Sequence, residues 1–125
     1  MNIILVAIGG ALGSICRYLT GLALQKFVGL SYIPLGTTAV NIIGSFIIGL
    51  LLAPHFINPA EHTHVWRMLV IVGFLGGFTT FSAFSGEIAY FIIQQAYLKA
   101  VIHFLLNNVL GIFAAYCGFF IATRL

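Results

Sequence analysis

Residues 66–93 read WRMLVIVGFLGGFTTFSAFSGEIAYFII, with Arg67 and Glu87 as the only formal charges. As a straight helix these 28 residues would extend about 42 Å. The hydrocarbon core of a bilayer is only about 30 Å thick. Tilt absorbs part of the excess. The centre of the stretch, however, is Gly73-Phe74-Leu75-Gly76-Gly77-Phe78-Thr79-Thr80. Two adjacent glycines followed by two threonines make a poor helix interior. The stretch predicts a membrane helix broken at mid-membrane. A continuous helix with a glycine kink is the other reading, since Gly is common in membrane helices. A break frees backbone groups, which survive at that depth only where protein, water or an ion satisfies them. Freed carbonyls then suit cations, and helix N-termini suit anions.

The rest of the chain fits around this span. Of 125 residues, 62% are hydrophobic and 6% charged. An ordinary soluble domain is about a quarter charged, so a soluble fold and a disordered chain are both excluded. The two Cys exclude a disulfide scaffold. Apolar stretches of about 20 residues lie near 3–25, 34–53, 67–93 and 98–122. The breaks between them hold Gln25-Lys26, then Pro54 to His64, then Gln94-Gln95. The expectation is a single all-α membrane domain over 1–125 with four transmembrane helices. The first span lacks a charged n-region and an obvious cleavage site, so it reads as retained. The runs are continuous rather than alternating, unlike β-barrel strands. The net charge of +3 is spread singly, which is no nucleic-acid footprint.

Orientation is weakly encoded. With four spans, the side that holds both termini carries Arg67 and Arg124, with Glu61. The other side carries Lys26 and Lys99, with Arg17 further inside span 1. The positive-inside rule has almost nothing to act on. Either one or two weak charges set the orientation, or copies insert both ways and pair antiparallel. Four helices leave no room for an internal aqueous pathway. Transport would need an interface between subunits, minimally a homodimer.

Polar residues within the spans fall in rows. Gly9, Gly13, Arg17 and Gly21 repeat every four residues in span 1. The glycines allow close helix approach. Arg17 either snorkels or lines a watery vestibule. Thr37, Asn41 and Ser45 form a stripe in span 2 with Thr38 beside it, either bonding between helices or lining a solute path. Asn41, with two amide donors, is the leading candidate there. After the proposed break, Phe81 and Phe84 share a helix face, with Ser82 and Ser85 alongside. Such rings usually pack against core or lipid. Their positive edges can also stabilise a small anion without trapping it. Glu87 follows, expected near the mouth of the path or paired with Arg17. Span 4 carries His103, Asn107 and Asn108, read either as a polar track or as ordinary interhelical bonding. His55, His62 and His64 beside Glu61 resemble half a metal site or a solvated loop. Cys16 and Cys117 read as small apolar residues. No Walker A, nucleophile elbow or zincin motif occurs, so no enzyme activity is expected.

Three segments in order resemble one family. Gly9-Gly10-Ala11-Leu12-Gly13-Ser14-Ile15-Cys16-Arg17-Tyr18 is similar to the GGxxGxxxRY-like opening of the CrcB/Fluc fluoride channels. Pro34-Leu35-Gly36-Thr37-Thr38-Ala39-Val40-Asn41 is similar to their PxGTxxxN segment, and GFLGGFTTFSAFS, 73–85, to their most specific signature. The resemblance implies an antiparallel dual-topology homodimer with two fluoride pathways. It implies Asn41, Phe81 and Phe84 as pathway residues, with Ser82, Ser85, Thr37, Asn108 and Tyr116 as further lining. Arg17 and Glu87 become vestibule residues. The backbone carbonyls of Gly76 and Thr79 from both subunits would hold a structural sodium ion at the dimer centre. Oxygen ligands suit such a hard cation. Ala83 stands where the family often has Thr. In the span 4 row Phe104, Asn108, Ile112 and Tyr116, only Asn108 and Tyr116 can donate.

The expected function is therefore passive, fluoride-selective export that relieves fluoride toxicity. The expected partners are fluoride, a second copy and lipid of the bacterial plasma (inner) membrane. A small proton-coupled multidrug exporter would want an acid in span 1, which has none. A non-transporting membrane scaffold would leave the span 2 stripe unexplained.

Overall fold

The structure, a computed structural model, describes residues 1–28, 33–57 and 64–124. All regular structure among them is helical. Helix α1 covers Asn2–Val28 and α2 covers Leu35–Ile57. Helix α3 occupies residues 64–78, α4 covers Phe81–Ile93, and α5 covers Tyr97–Ala122. Four stretches are long and apolar enough to cross a membrane: Asn2–Val28, Leu35–Ala53, His64–Ile93 and Tyr97–Ala122. They overlap the four apolar runs of the sequence, with some ends carried outward into polar residues such as Lys26 and His64. Backbone hydrogen bonding rather than hydropathy sets where a helix stops.

The helices pack chiefly as two pairs, α1 along α3 and α2 along α5. Small residues make both pairings possible. A Cβ on Gly9 would collide with the Leu69 carbonyl, and one on Gly13 with the Phe74 carbonyl. In the second pair a Cβ on Gly49 would strike the Ala115 carbonyl, and one on Gly118 the Phe46 carbonyl. In lipid there is little hydrophobic gain from joining helices, so this backbone-to-backbone contact supplies the attraction. Arg17 falls on the same α1 face as Gly9 and Gly13, which directs it toward α3.

Two helices widen locally. Residues Arg67–Leu75 of α3 and Leu106–Leu110 of α5 adopt π-helical hydrogen bonding. Such turns are rare and favour functional sites, because the extra residue re-aims the side chains that follow. The second one carries Asn107 and Asn108.

The distribution of side chains is inverted relative to a soluble protein. Ile3, Leu12, Leu19, Ile112 and Phe113 are exposed. Thr38, Thr80, His103 and Asn107 are buried, beside Val40, Leu75, Phe78, Phe84 and Phe91. Polar groups inside a lipid-facing bundle must find partners within the protein, and these do so at the site described below.

The turn from α4 to α5 is a Schellman motif. Ala96 N–H bonds the Phe91 carbonyl (2.8 Å) and Gln95 N–H bonds the Ile92 carbonyl (3.0 Å). The left-handed position belongs to Gln95, at φ 56°, where glycine would be free of Cβ strain. Gln95→Gly should raise stability by about 0.5–1 kcal/mol, and Gln95→Val should lower it. Thermal unfolding of both variants in mild detergent checks this; a lower midpoint for the glycine variant would contradict it.

Candidate ion pathway

The site is built around two threonines. Helix α3 stops at Phe78, and α4 starts at Phe81. Between them Thr79 (φ −80°, ψ 158°) and Thr80 (φ −149°, ψ 114°) are extended. The β-branched threonines accept this backbone readily, while Gly76 and Gly77 remain helical. Each threonine hydroxyl also serves a helix end. Thr79 Oγ1 donates to the Leu75 carbonyl (2.9 Å), which also receives Thr79 N–H (3.0 Å). Thr80 Oγ1 accepts from Ala83 N–H (3.2 Å) and so caps α4.

Asn41 bonds the Thr80 main chain much as a neighbouring strand would. Its Oδ1 accepts from Thr80 N–H (2.8 Å) and its Nδ2 donates to the Thr80 carbonyl (3.1 Å). These contacts divert donors that a continuous helix would use elsewhere. Thr80 N–H would have gone to the Gly76 carbonyl, and Ala83 N–H to the Thr79 carbonyl. The Thr79 carbonyl instead receives the Arg17 guanidinium (Nη1, 3.3 Å). Gly76 is exposed, with open space around its Cα.

Behind Asn41 runs a buried polar cluster. Asn41 Nδ2 also donates to Asn107 Oδ1 (2.9 Å), so both of its amide hydrogens are taken. Asn107 Nδ2 donates to Thr38 Oγ1 (3.1 Å) and to the His103 carbonyl (3.0 Å). His103, fully buried, meets Glu87 Oε2 through Nε2 (2.9 Å), and Thr37 Oγ1 donates to Glu87 Oε1 (2.7 Å). Glu87 is therefore bonded to His103 and Thr37, while Arg17 bonds the Thr79 carbonyl. The alternative expectation of an Arg17–Glu87 pair is replaced because each group has a nearer partner.

The rings complete the wall. Phe81 and Phe84 lie 5.7 Å apart between centroids, tilted by 49°. Phe84 is buried against His103 (5.5 Å) and Phe104 (6.3 Å), whereas Phe81 is 77% exposed. An open cleft of about 420 Å³ gathers Asn41, Phe81, Phe84, Asn108, Gly76 and Thr79. A larger open cavity of about 1400 Å³ gathers Arg17, Thr37, Ser82, Glu87 and Lys99. Thr80 lines both.

Most of the residues expected at the site thus meet at two adjoining cavities. Ser85 and Tyr116 line neither of these two. Tyr116 is exposed and stacks on Phe120, and Asn108 Nδ2 bonds its own helix at the Phe104 carbonyl (2.9 Å). Ala83 lines the larger cavity, while Phe104 and Ile112 are exposed. Glu61 and His62 lie outside the described residues, as does the side chain of His55. Among the described residues no group of three or more His, Cys, Asp or Glu could hold a metal. Sequence reasoning put Thr80 within the weak stretch and read His103 and Asn107 as a polar track or interhelical bonding, but named none of the three among the pathway residues. The signal was the four-residue spacing of His103 and Asn107 in an apolar helix.

Asn41→Leu strands two backbone groups at Thr80 and should cost about 1–3 kcal/mol. Thr80→Ala, which removes the cap and the long Ser82 hydroxyl contact (3.5 Å) but leaves the Thr80 main chain paired, should cost about 1 kcal/mol. Denaturant midpoints in detergent test the ranking, and a reversed order would count against this view of the interruption.

The family described as "CrcB-like protein, Camphor Resistance (CrcB)" matches residues 4–119. A protein of Caulobacter sp. (strain K31), named "Fluoride-specific ion channel FluC", is 42% identical over 124 residues, 99% of this chain and 96% of its own length. A protein of the same name from Vibrio parahaemolyticus is 43% identical over 119 residues, covering 95% and 92%. A third of that name, from Sulfurihydrogenibium sp., is 35% identical over 122 residues, covering 98% and 97%. With the four apolar spans and the interruption at Thr79–Thr80 already in view, these matches over nearly the whole length establish that the chain belongs to the CrcB family.

Proposed function

We propose that this chain is a multi-pass membrane channel that passes fluoride selectively and passively out of the cell. The observation that carries the reading is the cleft at the start of α4. There the Phe81 and Phe84 rings stand beside amide and backbone groups at one open wall, with no acid or Lys among its lining residues. Fluoride is small and strongly hydrated. A selective path must replace its water with close dipoles, yet bind weakly enough to release it. Ring edges offer partial positive charge without a full cation. The relatives named as fluoride-specific channels support the same reading.

Asn41 in this conformation spends both amide hydrogens on Thr80 and Asn107. Its part in the path is therefore to hold the interruption, and ring edges and backbone N–H groups at the α4 start meet the ion. Arg17 at the larger cavity draws anions toward the path.

The cleft is open on one side in a single chain, which fits an interface between copies. We read the assembly as an antiparallel, dual-topology homodimer with two pathways in the bacterial inner membrane. The near-even Lys/Arg tally and the frequency of twofold pairs support the antiparallel pair. We place the α3–α4 interruption at mid-membrane in that assembly. The Gly76 and Thr79 carbonyls, whose helical donors are diverted, fit a hard cation such as sodium. The Thr79 oxygen keeps a second lone pair beside the Arg17 bond. Two carbonyls from each copy would complete the set, and a bound sodium ion would supply fixed positive charge that joins the two copies.

Fluoride efflux from liposomes, followed with a fluoride electrode, tests the channel. Phe81→Ile and Phe84→Ile should each cut efflux by roughly tenfold or more, the factor that about 1.4 kcal/mol of barrier gives, with the dimer intact. Equal chloride flux in the parent protein would sink the proposal. For the cation, a crystal structure of the dimer should show a density peak ligated by Gly76 and Thr79 carbonyls of both copies; carbonyls turned away from the axis would remove it.

A further inference from the structure

The buried polar cluster has a single direction. Asn41 faces both backbone groups of Thr80, so its oxygen must meet the N–H and its nitrogen the carbonyl. Asn107 lies 3.0 Å from the His103 carbonyl, which only accepts, so its nitrogen must face that way. These two independent assignments bring Asn41 nitrogen against Asn107 oxygen at 2.9 Å, a donor–acceptor match that neither was chosen to give. The Asn107 nitrogen also lies 3.3 Å from His103 Nδ1 and 3.1 Å from Thr38 Oγ1. The Asn107 amide has two hydrogens to share among these three acceptors, so the ring is fixed from its other side. A carboxylate only accepts, so the ring hydrogen sits on Nε2 and Nδ1 is left to accept, with Thr38 Oγ1 also 3.4 Å from it. From there it is given to Glu87 Oε2 at 2.9 Å. The donors thus follow one another from Thr80 N–H through Asn41, Asn107 and His103 to the Glu87 carboxylate, and Thr37 donates to the same carboxylate from the other side.

We infer that His103 and Asn107 are positioning residues for the interruption: they carry the orienting effect of the Glu87 carboxylate to the Asn41 amide, which holds Thr80 extended. Neither hydrogen-bonds Thr80. Both are buried, where a reversed amide would set donor against donor and acceptor against acceptor with no water to relieve it. The charge of Glu87 ends the chain because a carboxylate only accepts. Its side chain is 27% exposed and lines the larger cavity, so the vestibule and the interruption share one set of bonds. The value of this device to conduction rests on the fluoride-channel reading; its effect on Thr80 does not.

Nuclear magnetic resonance of the full chain in lipid nanodiscs tests it. Nitrogen-15 shifts of His103 should show the hydrogen on Nε2 and an accepting Nδ1. In Asn107→Leu the Thr80 amide should exchange about tenfold faster or more, while amides in the middle of α1 keep their rates. Thr38→Val, which keeps the side-chain shape, should act the same way by a smaller factor and serves if the leucine variant fails to fold. Fluoride efflux should fall in step with the loss of Thr80 protection. A hydrogen on Nδ1 in the parent protein would overturn the inference. So would unchanged Thr80 exchange in a folded variant, or faster exchange spread evenly over all helices. A parent protein that carries no fluoride but whose Thr80 responds as described would refute the channel and uphold the positioning role.

Discussion

Two backbone groups at the buried Thr80 lie outside the helical pattern, and one side chain takes both of them. Asn41 on α2 supplies a donor and an acceptor at the spacing of a peptide group. That pairing permits the extended backbone between α3 and α4, because an unsatisfied backbone group in apolar surroundings costs several kcal/mol. Other features follow from it. Helical donors are diverted from the Gly76 and Thr79 carbonyls, α4 acquires its own capped N-terminus, and Phe81 and Phe84 are set at that terminus.

The glycine contacts and the polar cluster solve different parts of one problem. Gly9 and Gly13 against α3, and Gly49 with Gly118 between α2 and α5, bring helix backbones together where the hydrophobic effect gives little. The polar side chains gather where α2 meets α5, with α4 joining them through Glu87. There Thr37, Thr38, Asn41, Glu87, His103 and Asn107 satisfy one another. A cluster of this kind stabilises only when each member is bonded, since a partly satisfied network in low dielectric is worse than an apolar core.

Much of the site was legible because it depends on spacing within one helix. The pairing of Phe81 with Phe84, the face shared by Gly9, Gly13 and Arg17, and the stripe of Thr37 and Asn41 all follow from helical periodicity. The partners of those side chains were not legible. Glu87 was open to Arg17 by charge, yet it meets His103 and Thr37, while Arg17 reaches a carbonyl. Asn41 offered two donors on paper and has both engaged. Asn107 and Asn108 are adjacent with the same chemistry, yet one is the buried hub and the other bonds its own helix. The π-helical turn at Leu106–Leu110 alters the angle between successive residues there.

Taken alone, the sequence determined the class of molecule and its spans, because continuous apolar runs with so few charges admit only a membrane-embedded helical bundle. It also determined where the third span would be weakest as a helix. Which residues left the helix, and what held them, only the tertiary structure decided. Residues Gly76 and Gly77 stay helical while Thr79 and Thr80 extend, because satisfaction of the Thr80 main chain comes from a side chain 39 positions away. Local propensity can loosen a helix, but the partner that takes up the freed bonds is a matter of packing.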